Sequence, residues 1–163
     1  MSKILVYIRE MHLEEKSDFD EGSIMSVYHG EINIQTSGET DIIDITSDVQ
    51  DVVSKSKIKD GIVCVFVSGS TGTVTTMEYE PGLIQDIPKA LDKIAPKNIY
   101  YQHHETWHDD NGHSHVRASI MGPSITLPVR NGKLIHGTWQ QLVFMEFDTR
   151  PRDRKILIQI VGE

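Results

Sequence analysis

One cysteine, no long apolar run and a shortage of basic residues mark this 163-residue sequence. The lone thiol, Cys64, has no intrachain partner for a disulfide. Set inside the apolar run Gly61 to Val67, it reads as a small buried hydrophobe. A membrane-spanning helix needs about 18 or more consecutive apolar residues, and neither such a stretch nor a charged-apolar-small leader pattern is found. The expectation is therefore a cytoplasmic chain with no membrane partner. Sixteen Lys and Arg against twenty-four Asp and Glu leave a formal charge of −8. That sign repels phosphate backbones and argues against general nucleic-acid binding. Any anionic ligand then needs a local basic pocket.

What is present fits an ordinary globular core: 38% hydrophobic and 25% charged residues, over a length that suits one domain. Residues 1–24 read as an N-terminal extension ahead of a domain over 25–163. The stretch Glu14 to Glu21 has almost nothing apolar to bury, and Met25 is a candidate start. Alternatively, the β-branched alternation of Ile4 to Ile8 adds an edge strand.

Ile32 and Ile34 alternate with polar neighbours as in a half-buried strand. Thr46 or Ser47 then caps a helix carrying Val49, Val52 and Val53 to about Ser56. Gly61 to Val67 reads as a fully buried strand. Leu83, Ile87, Leu91 and Ile94 mark a second helix, with Pro88 in its first turn or kinking it and Pro96 ending it. Beyond Ile99 the chain reads as short β runs: Val116 to Met121, Ser124 to Val129, Gln141 to Phe147 and Lys155 to Val161. Asn131-Gly132 is a hairpin turn signal. Two early helices and late strands give an α+β class, a compact single domain of mostly antiparallel sheets.

Five of the eight histidines fall between His103 and His115. With Asp109 and Asp110 they point to a divalent metal site, because imidazole and carboxylate suit such ions. His113 and His115 share a side if this part is a strand. The bland alternative is a solvated polar loop. Ser70, Thr71, Gly72 and Thr73 follow the buried strand and offer approachable N–H groups and hydroxyls to an oxyanion, or they form an ordinary turn. Glu78, Glu80 and Asp86 are carboxylates that bind a metal, take a proton or cap the next helix, with Glu80 read as solvated. Arg117 stands two residues beyond His115 and so reaches the same strand face, as a phosphate fork or a plain ion pair. Trp139 reads as filling a core or subunit contact, and Gln140 as meeting a ligand. Glu146, Arg150, Arg152 and Arg154 read as a charged surface segment.

The run Ser124 to Leu142, SITLPVRNGKLIHGTWQQL, closely resembles the signature of the YjbQ family, including its Gly137-Thr138-Trp139-Gln140 core. Similar landmarks flank it: Glu78, Pro81-Gly82 to Asp86, Tyr101 with His103, His115 to Gly122, Glu146-Phe147-Asp148, and Pro151 to Arg154. Together they cover most of residues 27–162. The resemblance implies a trimeric α+β protein with a site near subunit contacts and, as ascribed to the family, a secondary thiamine-phosphate synthase activity joining a pyrimidine diphosphate to a thiazole phosphate. It carries His103, His115, Glu78 and Asp86 over as site residues. Many members have a His-Thr-Thr-Ala-like motif where this chain reads Gly69-Ser70-Thr71-Gly72.

The combined expectation is an enzyme for a phosphorylated small molecule. His103, His115 and His113 would hold Zn, Mg or Mn or shuttle protons. Glu78, Asp86 and Arg117 would act in catalysis, and Ser70 to Thr73 with Gln140 would grip phosphate. The alternative is a non-catalytic homotrimer that binds a metal or small ligand.

Overall fold

The computed structural model describes residues 5–8 and 24–163. Most of the expected extension over 1–24 lies outside them. Within it, Leu5–Ile8 is strand β1, paired antiparallel with β2 at the edge of a sheet.

Two antiparallel sheets and four helices make up the remainder. The larger sheet has the order β1-β2-β9-β4-β6-β7, built from β2 (Ser26–Gln35), β4 (Gly61–Val67), β6 (Ser124–Arg130), β7 (Lys133–Leu134) and β9 (Asp153–Gly162). The smaller sheet has the order β3-β8-β5, from β3 (Ile42–Asp44), β5 (Gly72–Met77) and β8 (Gln141–Glu146). The β6–β7 turn at Asn131-Gly132 has positive φ at both residues (51° and 70°), as a tight hairpin requires.

Alternation decides which faces are buried. On β9, Ile156, Ile158 and Ile160 point inward beside Ile32, Ile34, Val63 and Val65, and meet Leu142, Phe144 and Val74 from the smaller sheet. Helix α1 (Thr46–Ser56) adds Val49, Val52 and Val53 to this core. The opposite face of β8 presents Val143 and Met145 to a second core with Leu91 of α2 (Pro81–Ile94) and Ala118 of α4 (Gly112–Met121). The smaller sheet is thus sandwiched, which is why Leu142 to Met145 are all buried.

Several expectations need correction. Val116 to Met121 is not a strand but the end of α4. The residues α4 buries are Gly112, His113, Ser114, Arg117 and Ala118, with three polar side chains among them, so no apolar periodicity shows. The short helix α3 (His104–Trp107) brings the helices among the described residues to four rather than two. Strand β4 is buried on one face alone: Ile62 and Phe66 are exposed and Cys64 is half-buried. Pro88 sits well inside α2 rather than in its first turn. Thr46 is the first residue of α1 rather than its cap, and its hydroxyl accepts from the Leu142 N–H at 2.8 Å. Glu80 is not solvated: as the N-cap of α2, its carboxylate accepts from the Gly82 N–H (2.6 Å) and from the Leu83 N–H. No helix among the described residues is long and apolar enough to cross a membrane.

Gly61 faces Gly162 across the β4–β9 ladder, where a Cβ would run into the Val161 carbonyl and the Gly162 Cα. Backbone atoms cannot swing aside as a side-chain tip does. Gly61→Ala is expected to destabilise the fold by about 1–3 kcal/mol, read as a lower urea midpoint at unchanged m-value.

Candidate functional site

Two adjoining cavities meet at Tyr100, Tyr101 and Gly112. A Cβ on Gly112 would collide with the Tyr101 side chain, so glycine lets the first turn of α4 abut this aromatic wall. The larger cavity, about 610 Å³, is an open groove lined by His103 and His115 together with Gln102, Val116, Ser119 and Ile120. The smaller, about 430 Å³, holds His104 and His113 with Glu39 and Lys97.

Helix geometry makes this division. Residues two apart on a strand share a side, but on a helix they point well away from each other. His115 therefore faces the groove, while His113 turns to Glu39, its Nε2 lying 3.1 Å from Oε2. That oxygen also meets Lys97 Nζ at 3.2 Å and Arg117 Nη1 at 3.5 Å. Arg117 does not share a face with His115 either. It is fully buried, donating from Nε and Nη2 to the Ala95 carbonyl (3.1 and 2.8 Å) and from Nη2 to Asp92 (2.9 Å).

The rings of His103 and His115 lie with centroids 4.3 Å apart at a 41° tilt. His108 and Asp110 both have φ of 54°, a left-handed conformation that His and Asp tolerate better than most residues, and together they bend the loop that carries Asp109. Asp109 Oδ1 stands 3.6 Å from His103 Nε2. Asn111 is buried, and in the amide orientation that satisfies its neighbours its nitrogen donates to Asp109 Oδ1 (2.9 Å) and to His103 Nε2 (3.3 Å). Accepting that bond leaves the proton of a neutral His103 ring on Nδ1. Burial and the neighbouring His103 ring hold the His115 pKa below its ordinary 6.5, partly offset by Asp109 and Asp148.

Asp148 leads to a second polar cluster, buried between the sheets. Arg154 grips Glu146 through Nε (2.7 Å) and Nη2 (2.5 Å), and Glu146 Oε2 also accepts from the Thr36 hydroxyl at 3.0 Å. The Thr71 hydroxyl accepts from Arg154 Nη2 (2.6 Å) and donates to Asp148 Oδ2 (3.1 Å). Arg152 donates to the same oxygen from Nε (2.9 Å), with Nη2 at 2.8 Å. Burial pushes the Asp148 carboxyl up, but Arg152, the Thr71 hydroxyl and the Arg150 backbone together hold it below the usual carboxylate range. Glu146 and Arg154 are therefore not a charged surface segment; both are buried. Nothing in the run of alternating charges distinguishes a buried pair from a solvated one.

The remaining expected residues stand apart from the imidazoles. Glu78 and Asp86 are exposed and line neither cavity, and Asp86 pairs with Lys89 at 3.1 Å. Ser70 is exposed, while Gly72 packs against Phe144 and Thr73 donates to the Gly122 carbonyl at 2.5 Å. With Thr71 in the buried network, the hydroxyls of Thr71 and Thr73 are both engaged internally. Gln140 accepts from the Gly137 N–H at 2.8 Å. Trp139 fills no core in this chain, being 68% exposed. Among the described residues, no group of three or more His, Cys, Asp or Glu side chains is placed to hold a metal ion. Among the described residues His103 and His115 have no third protein ligand beside them, and His113 is not with them.

Below pH 6.5 the unfolded His115 ring takes up a proton that the folded ring accepts only at lower pH. In that window the unfolded chain binds more protons, so stability falls as pH falls. His115→Gln is expected to flatten the dependence of the urea midpoint on pH just below 6.5.

Comparison with known proteins agrees with this architecture. The family model "UPF0047 protein YjbQ-like" matches residues 30–163. A UPF0047 protein of Methanothermobacter thermautotrophicus is 39% identical over 142 residues, 87% of this chain and 97% of that protein. One from Archaeoglobus fulgidus is 36% identical, over 79% of this chain and 98% of its own length. Among solved structures, a YbjQ-like protein of unknown function from Sulfolobus solfataricus superimposes with a TM-score of 0.81 at 37% identity, covering 85% of this chain and 99% of that one. The chain belongs to the YjbQ-like UPF0047 family.

Proposed function

We propose that this protein is an enzyme acting on a phosphorylated small molecule, with His103 and His115 moving protons on the wall of the open groove. The observation that carries this reading is the paired imidazoles, centroids 4.3 Å apart, one ring fixed by Asn111 and the other held neutral near pH 7. A ring of this pair that has taken up a proton gives it to the departing phosphate oxygen as the carbon–oxygen bond breaks, a role that contributes about 10²–10⁴-fold, while an attacking ring nitrogen brings no proton to be removed. The reaction implied by the family resemblance, joining a pyrimidine diphosphate to a thiazole phosphate, is the specific case to test. Lys97, on the wall of the adjoining cavity, offers a partly exposed cation to a phosphate lying across Tyr100 and Tyr101. A divalent Zn, Mg or Mn ion would need ligands beyond those the described residues bring together, so no step is assigned to one.

A second reading, a non-catalytic protein that binds a small ligand in the same groove, draws support from Glu78 and Asp86 standing apart from the imidazoles. In either case we propose a cytoplasmic homotrimer. The outer face of the larger sheet leaves Val27, Ile62, Phe66 and Leu157 exposed, and contiguous apolar patches of this kind commonly mark subunit contacts.

With thiamine precursors as substrates, His103→Gln and His115→Gln are each expected to lower turnover by about 10²-fold or more, while Glu78→Ala stays within a few fold of wild type. Wild-type turnover no greater than that of the two histidine variants, with ligand still bound, would leave the binding-protein reading in its place. Light scattering should give three times the 18.5 kDa chain mass. Phe66→Asp with Ile62→Asp should reduce it to one; a wild-type monomer would overturn the trimer.

A further inference from the structure

The polar backing of the imidazole pair is centred on one residue, Asn111. It is 5% exposed and lines neither cavity. Its backbone carbonyl opens α4, accepting from the N–H of Ser114 (2.9 Å) and of His115 (3.3 Å). Its side-chain amide lies between two neighbours, 2.9 Å from Asp109 Oδ1 and 3.3 Å from His103 Nε2. The same residue therefore ties the helix that carries one ring to the other ring itself.

Elementary chemistry decides what each group does. An ionised carboxylate only accepts, so the amide atom facing Asp109 is the NH₂ nitrogen. That nitrogen has one hydrogen for Asp109 and another for His103, and a ring nitrogen that receives a hydrogen bond carries no proton of its own. A neutral His103 is accordingly protonated on Nδ1, which is neither buried nor hydrogen-bonded among the described residues. Asp109 is aimed by two left-handed neighbours, His108 and Asp110, a conformation that costs energy and persists where the surroundings impose it. The His115 ring is treated differently: neither of its nitrogens makes a hydrogen bond among the described residues.

We infer that the two rings have unlike duties: Asp109, through the Asn111 amide, locks His103 as a neutral donor that offers its Nδ1–H to a ligand oxygen, while His115 alone carries the transferred proton. A ring locked in this way takes no proton at Nε2, because that lone pair is already filled. It still holds a phosphate oxygen in place as negative charge develops there. Asn111 is thus a positioning residue for His103, and Asp109 sets the direction of the amide. This deepens the acid–base reading of the groove and rests on it for its purpose, but the first measurement does not depend on turnover.

That measurement is long-range ¹H–¹⁵N correlation of the full chain labelled at histidine, at about pH 8, where an imidazole of ordinary pKa, about 6.5, is neutral. In the wild type, His103 is expected as a single Nδ1–H tautomer. In Asn111→Ala the Nε2–H form of His103 should appear beside it. Should Asn111→Ala fail to fold, Asp109→Ala removes a partly exposed side chain and frees the amide to turn its oxygen to Nε2, giving the same mixture. A wild-type His103 with its proton on Nε2, or an unchanged Nδ1–H form in either folded variant, would overturn the lock. With thiamine precursors, the pH dependence of kcat/KM should follow the His115 titration seen in the same spectra; a match to the His103 titration instead refutes the division of duties. If His103 is locked as expected while the precursors do not turn over, the lock stands, and the enzyme reading falls together with the duty given to His115.

Discussion

The bidentate grip of Arg154 on Glu146 holds the two sheets to one another. Arg154 belongs to β9 in the larger sheet and Glu146 ends β8 in the smaller, so the pair spans the space between them. Taking two charges out of water costs several kcal/mol each, and such a pair persists where its geometry is good and its remaining lone pairs are met. Thr36, leaving β2, and Thr71, entering β5, meet them. Four segments distant in sequence are thereby fixed at one point. A purely apolar contact at this place would bind the sheets without setting their register so narrowly.

The network reaches past the pair itself to Asp148. Glu146 holds the Asp148 N–H, and Thr71 and Arg152 hold its carboxylate. The alternation of β8 lets this happen. One face completes the main core, and the other enters the second core with Leu91 of α2 and Ala118 of α4 before the chain reaches Asp148.

Much of this was legible in the sequence. The strict alternation of Ile156, Ile158 and Ile160, the apolar spacing along α1 and α2, and the Asn131-Gly132 turn each stated their element plainly. Helix α4 was hidden because its buried side is made of His113, Ser114 and Arg117, whose burial depends on partners elsewhere in the chain: Glu39, Asp92 and the Ala95 carbonyl. Mistaking that helix for a strand had a direct effect on the site, since it grouped His113 with His115 and put Arg117 beside them. The concentration of histidine was readable; its division between two cavities was a matter of helical phase. Asp148 gave no signal beyond its place in a family landmark, because a lone carboxylate among arginines looks the same whether solvated or buried.

Gly69 gives this arrangement an opening to solvent. It is exposed, yet a Cβ built there would sit 2.8 Å from Arg154 Nη1, the outermost tip of a guanidinium whose other nitrogens are committed inside. A residue larger than glycine at this place would set its side chain directly against the interior charge network. A side chain added at this one surface position would press on Arg154 and, through it, on the bonds to Glu146 and Thr71 that fix the two sheets against each other.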